Sequence, residues 1–359
     1  MTNIRHNRTT DIDLDLADHY SPASGVFPGC AGVQLTVDSN AVGKQHGHLQ
    51  LSAVAHARSP YQIRIPVCII KGHKPGPVIT LLAGLHGDEY EGTLTLQRLA
   101  RQLTDEAIHG TLYILPCLNT HGMKDGKREI LADGLNLDYA FPGNQDGSCS
   151  ERLAFAITRH FIKPSDLVID LRSGGQHLQF IPSAAVRFSA DAEQTTRCES
   201  AMIAFGAPNS LRLPASAPDS CLQGAVNALG KDYLQAELGG GGVYGPKSLD
   251  IACTGCLNVL RHKAMLKDDL QLASTRLLEV RDESYYVHAS TSGLYEPLVY
   301  LGENVWKEQA MANIVSLTDT RLDSIAVHTP RNATMIASHP GGFVNEGDLL
   351  AILAEEVQS

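Results

Sequence analysis

The sequence predicts an α/β protein: a mixed, mostly parallel sheet flanked by helices, followed by a small C-terminal all-β, barrel-like module. Two observations carry this. Four short runs, "PVITLLAG", "GTLYILPCL", "SDLVIDL" and "KDYLQAEL", are mostly apolar, as strands covered on both faces are. Helical spacing fills the stretches between some of them, and strands alternating with helices build a sheet with helices on both sides.

The elements follow in order. Residues 1–32 form a polar N-terminal segment. From Val33 to Ile70, runs such as "GVQLTVDS" and "YQIRIPVCII" alternate or are β-branched, which predicts antiparallel strands. "GTLTLQRLARQL" places Leu96, Leu99, Ala100 and Leu103 on one helical face, and "SERLAFAITRHFI" does the same with Leu153, Ala156, Ile157, His160 and Phe161. After about Arg281 the chain turns to short strands punctuated by glycine, "GLYEPLVYLGENVWKEQAMANIVSL" and "GGFVNEGDLLAIL". The second piece is like part of a lipoyl-type barrel, but no lysine stands at a hairpin tip as a carrier domain needs, so a structural module is expected. The expected partition is 1–32, an α/β catalytic domain over 33–284, and a C-terminal β domain over 285–359.

Composition excludes several functions. At 359 residues, 43% apolar and 19% charged, the chain is an ordinary globular protein long enough for about two domains. A net charge of -10 without a Lys/Arg stripe argues against nucleic acid as a partner. The N-terminal stretch has no apolar signal core and no run of 18 apolar residues occurs, so neither secretion nor a membrane span is expected. Eight scattered cysteines, with only Cys253 and Cys256 in a CxxC, are expected to be reduced thiols of a cytoplasmic protein.

The chemistry-bearing residues cluster where parallel strands should end, which is where open α/β sheets bind ligands. His86 and Glu89 follow "VITLLAG", Asn136 to Phe141 lie in a loop, Arg172 follows "LVIDL", and Glu237 ends "YLQAE" before four glycines that allow close backbone approach. His86 and Glu89 have the residue types for two ligands of a zinc site with an open position for water. The same pair also reads as a loop histidine bonded to backbone, beside a first-turn acid that complements a helix dipole.

In order along the chain, "GLHGDEYEG", "DGLNLDYAFPG", "DLRSGG" and "ELGGGG" resemble the succinylglutamate desuccinylase/aspartoacylase family of carboxypeptidase A-like zinc hydrolases. "GKQHGHLQL", "GDEYEGTL" and "SERLAFAITRHF" are most similar to its N-acetyl-diaminobutyrate deacetylases of ectoine breakdown. The resemblance implies a zinc carboxypeptidase-like fold, zinc held by His86 and Glu89, and Glu237 as the general base and acid. It implies that Arg128 contacts substrate or the developing oxyanion. The implied reaction removes an acyl group, acetyl in the first instance, from a small N-acyl amino acid. The C-terminal module offers a surface on which copies of the chain can pair.

The sequence departs from that pattern at the chemistry. The family's third zinc ligand is a histidine where this chain has Arg172, and a guanidinium offers donors only. An Asn-Arg pair that helps hold a substrate carboxylate is replaced by Asp138-Tyr139, and Ala236 stands for a threonine. Arg172 is therefore expected to occupy the metal position and pair with Glu89, Asp138 or both. The alternative is that another histidine, such as His121 or His177, takes the third ligand position. Two functions remain open: a zinc-dependent deacylase, and a catalytically impaired paralogue that binds a small ligand or partner without efficient hydrolysis.

Overall fold

A computed structural model describes residues 32–54, 60–130, 133–188, 191–214 and 221–357. The N-terminal segment expected over 1–32 lies, but for its last residue, outside the described residues. The central sheet runs in spatial order through Gly43–Val54, Pro60–Lys71, His109–Leu115, Lys74–Ala83, Leu167–Arg172, Asp232–Glu237, Ser183–Arg187 and Asn209–Leu213. The first two strands are antiparallel, as their alternation predicts. His109–Leu115, Lys74–Ala83, Leu167–Arg172 and Asp232–Glu237 are mutually parallel, which makes all four apolar runs neighbours in one layer. Ser183–Arg187 then turns the sheet antiparallel.

The apolar runs exist because both faces are covered. Ile79, Leu81, Ile169, Leu171 and Leu234 pack into one core, with the helices Glu91–Gln102, Ala192–Phe205 and Pro246–His262. Leu82, Val168 and Tyr233, at the intervening positions, pack into a second core with Leu153, Ile157 and Phe161 from the opposite side. The helix Cys149–Ile157 starts at a capping box, in which Ser148 Oγ accepts from Glu151 N–H and the Glu151 carboxylate accepts from Ser148 N–H. It passes into a π turn over Thr158–Ile162 that keeps Phe161 buried and leaves His160 half-buried.

The C-terminal strands extend this sheet. Arg276–Glu279 lies parallel to Asn209–Leu213 and antiparallel to Leu349–Glu356, which in turn pairs with Ala333–Ser338. A second, four-stranded antiparallel sheet of Ile325–His328, Ala310–Val315, Gly293–Pro297 and Gly342–Val344 shares a core with them. That core includes Ala185, Leu211 and Leu213 of the central sheet. Among the described residues the C-terminal strands form no closed barrel. Cys68, Cys117, Cys198, Cys221, Cys253 and Cys256 are free thiols.

Candidate functional site at the strand ends

Parallel register fixes the centre of the site. Arg172 and Glu237, the last residues of adjacent strands, are direct partners across the ladder. His86 and Glu89 lie in the loop after Lys74–Ala83, and both are buried. The following helix begins at Glu91 after Tyr90, so Glu89 precedes its first turn rather than sitting in it. Asn136 caps a short 3-10 turn, Leu137–Ala140, which carries Asp138 inward.

The glycines after Glu237 act on the protein itself. Gly240 has φ +120, and a Cβ there would meet the Leu178 carbonyl oxygen at 2.2 Å. Its N–H donates to Glu91 Oε1 at 3.1 Å, and the Gly242 N–H donates to the Gly175 carbonyl at 2.8 Å. These bonds tie the loop after Glu237 to the start of the Glu91–Gln102 helix and to the loop after Arg172.

A dense polar network results. His86 Nδ1 lies 2.7 Å from Glu89 Oε1 and 3.2 Å from Arg172 Nη2, and its Nε2 lies 3.0 Å from Asn136 Oδ1. Asn136 Oδ1 also accepts from the Asp138 N–H, so it is an acceptor and His86 Nε2 carries the proton toward it. Burial, with Arg128 and Arg172 beside it, holds His86 well below the usual imidazole range, so the ring is neutral. Its Nδ1 then accepts from the Arg172 N–H, and the 2.7 Å contact with Glu89 Oε1 places a proton on that carboxyl, whose pKa burial raises to about 7.

Arg172 donates to Asp138 Oδ2 at 3.0 Å, and Asp138 Oδ1 accepts from the Leu222 N–H at 3.0 Å. Burial alone would raise the Asp138 pKa. Arg172, the Leu222 N–H and Arg128 outweigh it and hold the carboxyl below its ordinary value. Burial likewise works against the Arg172 charge but is outweighed by Asp138, Glu89 and Asp170, so the guanidinium stays protonated. Arg128 Nη1 stands 3.7 Å from Glu89 Oε1. Glu89 also accepts from the Ser173 N–H at 3.2 Å.

The residues present do not fit zinc. The lone pair of His86 Nδ1 that a metal would use faces a guanidinium N–H, and the third position holds a donor-only group. Arg128 stands beside Glu89 and Arg172 is paired with Asp138, so a divalent cation would add charge next to two guanidiniums. His177 is exposed and His121 is half-buried, and among the described residues no group of three or more His, Cys, Asp or Glu side chains gathers to hold a metal.

Asp138→Asn should strand the Arg172 charge, and breaking a buried ion pair costs about 3 kcal/mol. Urea unfolding should show a lower midpoint with an unchanged slope.

Glu237 stands at the wall of a cavity of about 60 Å³, together with Glu89, Arg128, Arg172 and Ser173. Its Oε1 accepts from Gln235 Nε2 at 2.6 Å, and its buried Oε2 has no hydrogen-bond partner. Burial raises its pKa to about 7, with Arg172 opposing.

Seven of the eight residues singled out in the sequence thus converge: His86, Glu89, Arg128, Asn136, Asp138, Arg172 and Glu237. Tyr139 is 40% exposed and does not line the cavity. Sequence reasoning missed Ser173, Gln235, Arg187 and Tyr286, which also line it. Gln235 was within reach, since residues two apart on a strand share a face. Tyr286 carries no sequence signal, because only the returning C-terminal strands bring it there.

The succinylglutamate desuccinylase/aspartoacylase catalytic domain matches residues 75–263. The N-alpha-acetyl-L-2,4-diaminobutyric acid deacetylase of Halomonas elongata is 36% identical over 329 residues, 91% of this chain and 96% of that protein. The product-bound structure of the ectoine utilization protein EutE (DoeB) from Ruegeria pomeroyi superposes with a TM-score of 0.86 at 34% identity, covering 90% of this chain and 98% of that one. A succinylglutamate desuccinylase/aspartoacylase structure from Rhodobacter sphaeroides gives a TM-score of 0.86 at 28% identity, covering 91% and 100%. Fold, site position and kinship define the class as amide hydrolases, the deacylases. Within that class, the chain belongs to the succinylglutamate desuccinylase/aspartoacylase family.

Proposed function

We propose that the cavity takes a small N-acyl amino acid, of the N-acetylated diaminobutyrate kind, and that Glu237 moves the proton in hydrolysis of its amide. The carrying observation is Glu237 itself, a buried carboxyl with one unpartnered oxygen on the cavity wall and a pKa of about 7. Such a group takes a proton from water attacking the acyl carbon and returns it to the leaving amine, giving the carboxylic acid and the free amino acid. Arg128 and Arg172, fixed cations on the same wall, favour charge developing on the carbonyl oxygen. Kinship to the Halomonas elongata deacetylase supports the substrate class. The zinc that the family resemblance implied has no part in this scheme, because Arg172 takes its place.

A second reading is favoured by the closed Arg172–Asp138–His86 network: the same ligand is bound without efficient turnover. The test is a panel of neutral, acidic and basic N-acetyl amino acids given to chelator-treated protein, with amine release and calorimetric binding both followed. Release of amine from an N-acetylated diamino acid supports the first reading. Binding without release supports the second, and absence of both overturns both.

A further inference from the structure

Three arginines line the cavity: Arg128, Arg172 and Arg187. The first two are committed, to Glu89 and to Asp138 with His86. Arg187 differs, for its Nη1 is buried and has no hydrogen-bond partner. The buried hydroxyl of Tyr286, on the same wall, is equally without one. Buried donors are nearly always satisfied, and a charged one left unpaired is costly. Burial pushes the Tyr286 phenol up to about 12 with the Arg187 charge near enough to oppose, so the hydroxyl keeps its proton at neutral pH.

The two donors come from separate layers. Arg187 ends the Ser183–Arg187 strand of the central sheet, and Tyr286 starts the Tyr286–His288 strand, which pairs with Leu349–Glu356. Ser183 is the ladder partner of Glu237, and Arg187 lies four residues further along the same strand. Residues 183 and 187 share a face, so their Cα atoms are about 13 Å apart along one wall, at ~3.3 Å per residue. The long arginine side chain can shorten that gap. Between the ends the lining includes Leu211, Ile336 and Ile352, which offer no polar partner.

We infer that Arg187 and Tyr286 form a carboxylate-binding subsite, which takes the free carboxylate of an N-acyl amino acid whose amide lies toward Glu237. A guanidinium and a hydroxyl, both donors in a dry setting, match a carboxylate, and the arginine fork gives the match its geometry. The inference rests on the substrate class proposed above, but not on turnover.

The test uses N-acetyl-L-2,4-diaminobutyrate and its C-terminal carboxamide, with binding read by calorimetry and hydrolysis by amine release. The unaltered protein should bind the carboxylate about 30-fold more tightly than the carboxamide, the scale of a charge-assisted hydrogen bond. Arg187→Met should remove that preference, chiefly by weakening carboxylate binding, and Tyr286→Phe should weaken it about 5-fold. Where turnover is measurable, KM should rise far more than kcat falls. Equal binding of the two compounds, no binding of either, or tight carboxylate binding by Arg187→Met overturns the subsite. Arg187-dependent binding without hydrolysis sustains it while removing the catalytic reading. If Arg187→Met does not fold, the carboxamide comparison and Tyr286→Phe decide.

Discussion

Arg172→His is expected to bring one zinc per chain into a protein that, purified without chelator, carries none in stoichiometric amount. The substitution removes the guanidinium 3.2 Å from His86 Nδ1 and sets a neutral imidazole beside His86 and Glu89 as a third ligand. It also strands Asp138, whose Oδ2 loses its cation while the carboxylate stays buried. The metal-free variant should therefore unfold about 3 kcal/mol more easily than the parent, since removing one partner of a buried pair leaves an uncompensated charge. Zinc at a thousand times its dissociation constant should restore about 4 kcal/mol. Metal analysis and urea unfolding with and without zinc read both effects. One zinc per chain in the unaltered protein would rule out Arg172 as the occupant of the metal position.

Glu237→Gln is expected to lower kcat by about 10²- to 10⁴-fold, the range of a positioned acid–base group, while ligand affinity changes little. The amide keeps an oxygen for Gln235 Nε2, so the local hydrogen bond survives. The pH dependence has a definite sign. Only ionised Glu237 accepts a proton, and its pKa is raised to about 7, so activity should climb from pH 6 to pH 8 and then level. Stability runs the other way. A carboxyl whose folded pKa exceeds its unfolded value contributes fully below about pH 4.5 and loses that contribution as pH rises through about 7. Glu237→Gln should thus be more stable than the parent at pH 8, as thermal unfolding at pH 5 and pH 8 would show. An unchanged kcat would remove Glu237 from the chemistry.

How far the sequence disclosed this site depends on which contacts build it. His86, Arg172 and Glu237 were legible because parallel strands announce themselves as apolar runs, and the residues that end such runs share one edge of the sheet. The charge exchange at Arg172 and Asp138 was legible because it is a matter of residue type. Arg187 was not, since its strand runs antiparallel to Asp232–Glu237 and so ends away from the edge where ligands were sought. Tyr286 depends on the pairing of Tyr286–His288 with Leu349–Glu356, far along the chain. Such long-range pairing also explains why the C-terminal strands, read as a self-contained barrel, continue the central sheet through Arg276–Glu279.

The ladder that sets Arg172 opposite Glu237 consists of main-chain bonds, which are indifferent to the side chains they carry. An exchange at position 172 therefore alters the chemistry without asking the backbone to move. Exchanges at positions 172 and 138 together reset the charge of the centre while the framework beneath them stays the same. Change of this kind leaves overall kinship untouched, so a chain can remain an unmistakable relative while the reaction at its heart is rewritten.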